Sequence, residues 1–142
     1  DRFRKVKVYF FIDTLWDVDR FEHQDLSDMM QEIKSWGYRA SSGFSDYGKV
    51  FREFVEDYLP AVSSRTVMII LGDGKNNYRP AQEEYLAEIA AKVKKIYWLN
   101  PLDYEQWRDR DNVLKDYYRY CTKVFRCRSA SDLKRIVQGV NL

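Results

Sequence analysis

Apolar residues in this chain follow two rhythms, short continuous runs and stripes spaced three or four apart, and the two alternate along its length. Val67–Leu71, VMIIL, is the clearest run. Five apolar residues in succession cannot all face one side of a strand, so the run predicts a strand buried on both faces, in mid-sheet. It stops at Gly72-Asp73-Gly74, where two glycines permit backbone conformations closed to other residues and leave Asp73 at the strand's carboxyl end. That edge is where open α/β sheets place their ligands.

The other segments follow from the same two rhythms. Residues 5–12 predict a strand with Val6, Val8, Phe10 and Ile12 on one face and Tyr9 and Phe11 on the other; Asp13-Thr14 turns it into a second strand at 15–18. Leu26, Met29, Met30, Ile33 and Trp36 recur at helical spacing before Gly37, predicting a helix over 25–36. A loop of small and hydroxyl residues then leads to Ser45 or Asp46 as N-cap of a helix carrying Tyr47, Val50, Phe51, Phe54, Val55, Tyr58 and Leu59 and stopped by Pro60. Past the GDGKNNYRP loop, Pro80 is expected in the first turn of a helix with a Tyr85, Leu86, Ile89, Ala90, Val93 stripe. A buried strand over 96–99, a polar aromatic segment, a last strand at Val124 and Phe125, and a helix capped by Ser129 complete the chain. Strands alternating with amphipathic helices predict a layered α/β domain over residues 1–142, its sheet mainly parallel with an antiparallel hairpin.

Composition narrows the function. In 142 residues the chain is 45% hydrophobic, enough for one core, and its formal charge of +2 comes from basic and acidic residues interleaved without a basic stripe, which argues against nucleic acid. Eleven Tyr and four Trp favour a protein partner, since these residues are enriched in interfaces. Cys121 and Cys127, with His23, are too few for a disulfide framework or a four-ligand zinc site and point to a reduced, cytoplasmic setting. No run reaches membrane-spanning length. The chain opens on Asp1 and reads as a piece of a longer polypeptide.

Asp73 is the sharpest chemical candidate: a carboxylate at a strand end, followed by Lys75-Asn76-Asn77, has the makings of a hard-cation ligand, or else simply turns the chain while the asparagines cap backbone. Ser45 and Asp46 are the second, as a hydroxyl ligand with an acidic neighbour or as an ordinary N-cap. GDGK lacks the spacing of a phosphate loop, and Asp109-Arg110-Asp111-Asn112 lacks the glycine and distal Glu of a calcium loop, so the latter reads as a solvated charge cluster. Nothing marks either cysteine as an activated nucleophile. A Rossmann-like hydrolase or phosphotransfer enzyme using Asp73, and a metal-free structural module, stand as alternatives to an interaction domain.

FSDYGKVFREFVEDYL, RTVMIILGDGKNNYRP and KKIYWLNPLDYEQW, in that order, resemble the CoxE-like branch of the von Willebrand factor A (VWA) domains over nearly the whole chain. The resemblance implies a Rossmann-like three-layer sandwich with a metal-ion-dependent adhesion site at the sheet's carboxyl edge. It assigns Asp73 to the third metal loop and Ser45 to the second, with Asp46 and Asn76 as outer neighbours of a Mg²⁺ or other divalent cation. The family's Asp-x-Ser-x-Ser does not occur here, and the first recognisable strand corresponds to the family's second. The expectation is a domain incomplete at its N-terminus, with a gap in the sheet closed by upstream sequence, another chain or a swapped, self-associated assembly. The resemblance further implies a non-catalytic module working beside a MoxR-type AAA+ ATPase on a client metalloenzyme or complex.

Overall fold

The computed structural model describes residues 5–21, 25, 27–28, 31–32, 34–35 and 44–140. Strands β1 (Tyr9–Phe11) and β2 (Leu15–Asp17) form an antiparallel hairpin in which Phe10 faces Trp16. Helix α1 (Tyr47–Tyr58) follows, its N-terminus capped by the Asp46 carboxylate, which accepts from the Lys49 amide at 3.1 Å. Pro60, which cannot donate to a continuing helix, sits in the short 3-10 turn Leu59–Ala61 that ends it. Then come β3 (Val67–Leu71), α2 (Glu83–Lys92), β4 (Lys95–Asn100), a 3-10 segment Tyr104–Arg108, the single turn α3 (Leu114–Tyr117), β5 (Lys123–Arg126) and α4 (Ala130–Gly139).

Strands β3, β4 and β5 form a parallel sheet in that order, with Ile70 opposite Trp98 and Trp98 opposite Val124. The layered α/β arrangement, the parallel sheet and the antiparallel hairpin are those the sequence predicts. The core lies between the sheet and helices α1 and α2. There the Trp98 ring packs 5.4 Å from Tyr47, 6.2 Å from Phe51 and, stacked, 5.7 Å from Tyr117. Ile70, Leu86, Ile89, Ile96 and Leu114 fill in around these rings. The hairpin joins the same core through α1, with Tyr9 5.7 Å from Phe54 and Phe11 5.4 Å from Tyr47.

Two expectations are corrected, those for β3 and for the start of α2, and in β1 and α4 the structure shows which residues are covered. The strand buried on both faces is β4, not β3: among the described residues β3 pairs with β4 alone, and Ile69 and Leu71 are exposed by 45% and 60%. The apolar run correctly announced a strand, but its burial depends on neighbours that the run itself does not specify. In β1 the face turned to α1 is that of Tyr9 and Phe11, while Val6 and Val8 lie exposed. Helix α2 starts at Glu83, beyond Pro80, because Gln82 takes a left-handed conformation that interrupts the helix before it. Helix α4 is capped by Ser129 as expected, yet Leu133 and Val137 on its apolar stripe remain exposed. Residues 27–28, 31–32 and 34–35 are helical, but the predicted stripe of Leu26, Met29, Met30, Ile33 and Trp36 lies outside the described residues, as do Gly37 and His23. No helix among the described residues is long and apolar enough to cross a membrane.

Candidate functional site

The loop after β3 is held by side chains from three distant parts of the chain. The Asp73 carbonyl accepts from Asn100 Nδ2 at 3.0 Å and from Asn112 Nδ2 at 2.9 Å. Both asparagines are fully buried, and their amide oxygens accept from the backbone of Leu102 and Leu114. Buried amides carry a high penalty when unpaired, so this pairing fixes the loop firmly. The loop backbone is tied further by the Asn76 amide to the Asp111 carbonyl at 3.0 Å and by the Val113 amide to the Gly74 carbonyl at 2.8 Å.

From the other side Tyr47 reaches under the loop. Its hydroxyl accepts from the Gly74 amide at 3.1 Å and donates to Asp73 Oδ1 at 3.4 Å. Burial pushes that hydroxyl well above the usual tyrosine range, and the Asp73 charge beside it acts in the same direction. The two glycines have separate reasons. A Cβ on Gly72 would collide with the Tyr47 hydroxyl, and Gly74 combines φ +78° with close approach to the Asn112 amide.

These contacts bring the two predicted loops together. Asn77 Nδ2 donates to the Ser45 carbonyl at 3.2 Å, the Tyr47 amide donates to Asn76 Oδ1 at 2.7 Å, and Arg79 pairs with Asp46 at 3.3 Å. Asp73 Oδ1 accepts from the Lys75 amide at 2.8 Å, an Asx turn, while among the described residues Oδ2 and the Ser45 hydroxyl have no hydrogen-bond partner. Asp46 and Asn76, expected as outer neighbours of a cation, both have structural work: Asp46 caps α1 and pairs with Arg79, and Asn76 Nδ2 donates to the Arg79 carbonyl at 2.8 Å.

The donors therefore suit a hard cation in kind and are few in number. One carboxylate oxygen and one hydroxyl would fill two positions, and Mg²⁺ characteristically keeps several waters around one or two protein carboxylates. Among the described residues no three His, Cys, Asp or Glu side chains cluster as ligands. Asn112, read from sequence as part of a solvated cluster, is a correction: it is buried because its amide bridges Asp73 to the start of α3. Neither Asn100 nor Asn112 stood out as a site residue, and the one signal available was the asparagine closing a buried strand before Pro101. Cys121 and Cys127 are both half-buried, and burial pushes the Cys121 thiol up to about 12.

The family described as VWA domain containing CoxE-like protein matches residues 1–136, and the chain belongs to that family. No curated protein and no solved structure matches the chain.

Proposed function

We propose that this chain is a protein-interaction module that engages its partner at the rim carrying Ser45 and Asp73, through a divalent cation shared with a carboxylate of the partner. Membership of the CoxE-like VWA family supports the coarse reading, an interaction domain rather than an enzyme. The observation that supports the finer one is the lacing of the loops that carry Ser45 and Asp73 by Asn77, Asn76 and Tyr47, with the Ser45 hydroxyl and one Asp73 carboxylate oxygen, Oδ2, not otherwise engaged. Two aromatic residues flank that edge. Phe44, next to Ser45, and Tyr78, next to Asn77, are exposed by 58% and 80%, and exposed aromatics are the residues that anchor protein contacts.

On the resemblance to CoxE-like domains, the partner is a MoxR-type AAA+ ATPase and the client a metalloenzyme or complex under maturation. With two donors, the chain alone binds Mg²⁺ weakly or not at all, and the partner's carboxylate with water supplies the remaining ligands. Isothermal titration of a purified MoxR-type ATPase into the chain tests this. Binding is expected with Mg²⁺, to disappear in EDTA, and to weaken roughly tenfold or more in Asp73→Asn, which keeps the Oδ1 acceptor for Lys75 while removing the charge. Equal affinity with and without Mg²⁺, or tight Mg²⁺ binding by the chain alone, contradicts the proposal.

A further inference from the structure

Adjacent residues in the loop that follows β3 take a left-handed backbone conformation, Asn77 at φ 54° and Tyr78 at φ 58°. Asparagine enters that region readily, and the Asn77 side chain reaches the Ser45 carbonyl from it. Tyrosine does not, because its Cβ crowds the following carbonyl, so glycine or asparagine would fit position 78 with less strain. The conformation is held firmly all the same. The Tyr78 amide donates to Asp111 Oδ1 at 2.6 Å and the Arg79 amide to the carbonyl of buried Asn76 at 3.1 Å.

Nothing inside the described chain uses the side chain that this strain presents. Among the described residues the Tyr78 hydroxyl has no hydrogen-bond partner, its ring meets no other ring or cation, and the residue is 80% exposed. A ring left in water contributes little to folding. Strain kept at a residue with no packing to offset it points to a use outside the chain. The place is the rim, since Asn77 ties this turn to the Ser45 loop. The recess between β5 and α4, bounded by Tyr104, Phe125 and Ile136, takes in no residue of that rim. A ring held rigidly out of a surface is complementary to a hollow, whereas an extended peptide needs a groove or a strand edge to lie in.

We propose that Tyr78 is the anchor by which the rim selects its partner, and that the partner is a folded domain with an apolar recess beside the carboxylate that reaches the cation. Asp111 is the positioning residue that holds the ring out. The inference rests on the reading of the rim given above and adds a contact that does not involve the cation.

Isothermal titration of the purified MoxR-type ATPase into the whole chain in Mg²⁺, with thermal melts of each variant, tests it. Tyr78→Ala should weaken binding roughly tenfold or more, and Tyr78→Phe by no more than about twofold. Tyr78→Gly should weaken it as much as Tyr78→Ala while raising the Tm by roughly 2–4 °C, because glycine removes the strain and no packing is lost. Asp111→Ala should weaken binding roughly fivefold, Asp111→Asn, which keeps an oxygen acceptor, should restore it, and neither should matter in the Tyr78→Ala background. A tryptic digest of the ATPase should not compete with the intact protein.

The proposal is overturned if Tyr78→Ala binds within about twofold of the unchanged chain, or if Tyr78→Gly lowers the Tm. It is equally overturned if the Asp111→Ala effect persists in the Tyr78→Ala background, or if the digest competes. Should Asp73→Asn weaken binding and Tyr78→Ala not, the anchor fails and the metal bridge stands. Should the Tyr78 variants behave as expected with affinity unchanged in EDTA, the metal bridge fails and the anchor stands. Absence of binding by the unchanged chain overturns both.

Discussion

The strand β3 and the loop that follows it are adjacent in the chain and opposite in how their polar groups are met. From Asp73 to Asn76 most backbone groups have a partner, and several partners are buried side chains from α1, β4 and the segment before α3. Along Val67–Leu71 alternate residues present amides and carbonyls with no strand beside them among the described residues. Exposure does not explain the difference, since the loop is the more polar segment and lies at the rim. The polar groups of the loop are met within the chain, whereas those on the outer edge of β3 are met by no described strand. A binding surface made of fixed donors needs the first property, and a surface completed by pairing needs the second.

Trp98 supports both regions, and its removal has the largest expected effect. The ring stacks on Tyr117 under the sheet while its Nε1 donates to the Gly72 carbonyl at 2.8 Å. Trp98→Ala should lower stability by about 3–5 kcal/mol in urea denaturation and loosen edge and loop together. Asn76→Ala separates them: it orphans the Tyr47 amide and the Arg79 carbonyl, at a cost of about 2–3 kcal/mol, and should leave exchange along β3 unchanged.

Alkaline titration acts through the buried tyrosines. Burial raises the pKa of both Tyr47 and Tyr117, and the Tyr117 hydroxyl donates to the Ala81 carbonyl at 2.5 Å. Because the folded values lie above the unfolded one, the unfolded chain loses these protons first. The stability contribution is whole below a pH of about 10 and falls above it by up to about 1.4 kcal/mol per pH unit for each tyrosine. Thermal melts across pH 8–12, a range of about four units, check this; in Tyr117→Phe the fall should be shallower. The smallest effect is expected at the edge. Leu71→Ser should change stability by no more than about 0.5 kcal/mol, since that side chain is already in water.

The same contrast divides what was legible in the sequence from what was not. The strand-then-glycine pattern at Val67–Gly74 announced a strand and the place where it ends, because strand termination is written locally in two glycines. Asp46 as cap, Pro60 as stop and Ser129 as cap were likewise local signals. Asn100 and Asn112 act on Asp73 across 27 and 39 positions, and nothing around either residue points to that target. The exposure of Ile69 was hidden for a related reason. A run of apolar residues states a preference for burial, and whether a neighbouring strand supplies it is decided elsewhere.

Residue-resolved amide exchange in the isolated chain measures the contrast in one experiment. The account predicts slow exchange at Gly74, Asn76 and Val113 and at Met68 and Ile70, with fast exchange at Val67, Ile69 and Leu71 interleaved among the protected positions. Uniform protection along β3, or a loop whose amides exchange as freely as the edge, would contradict it.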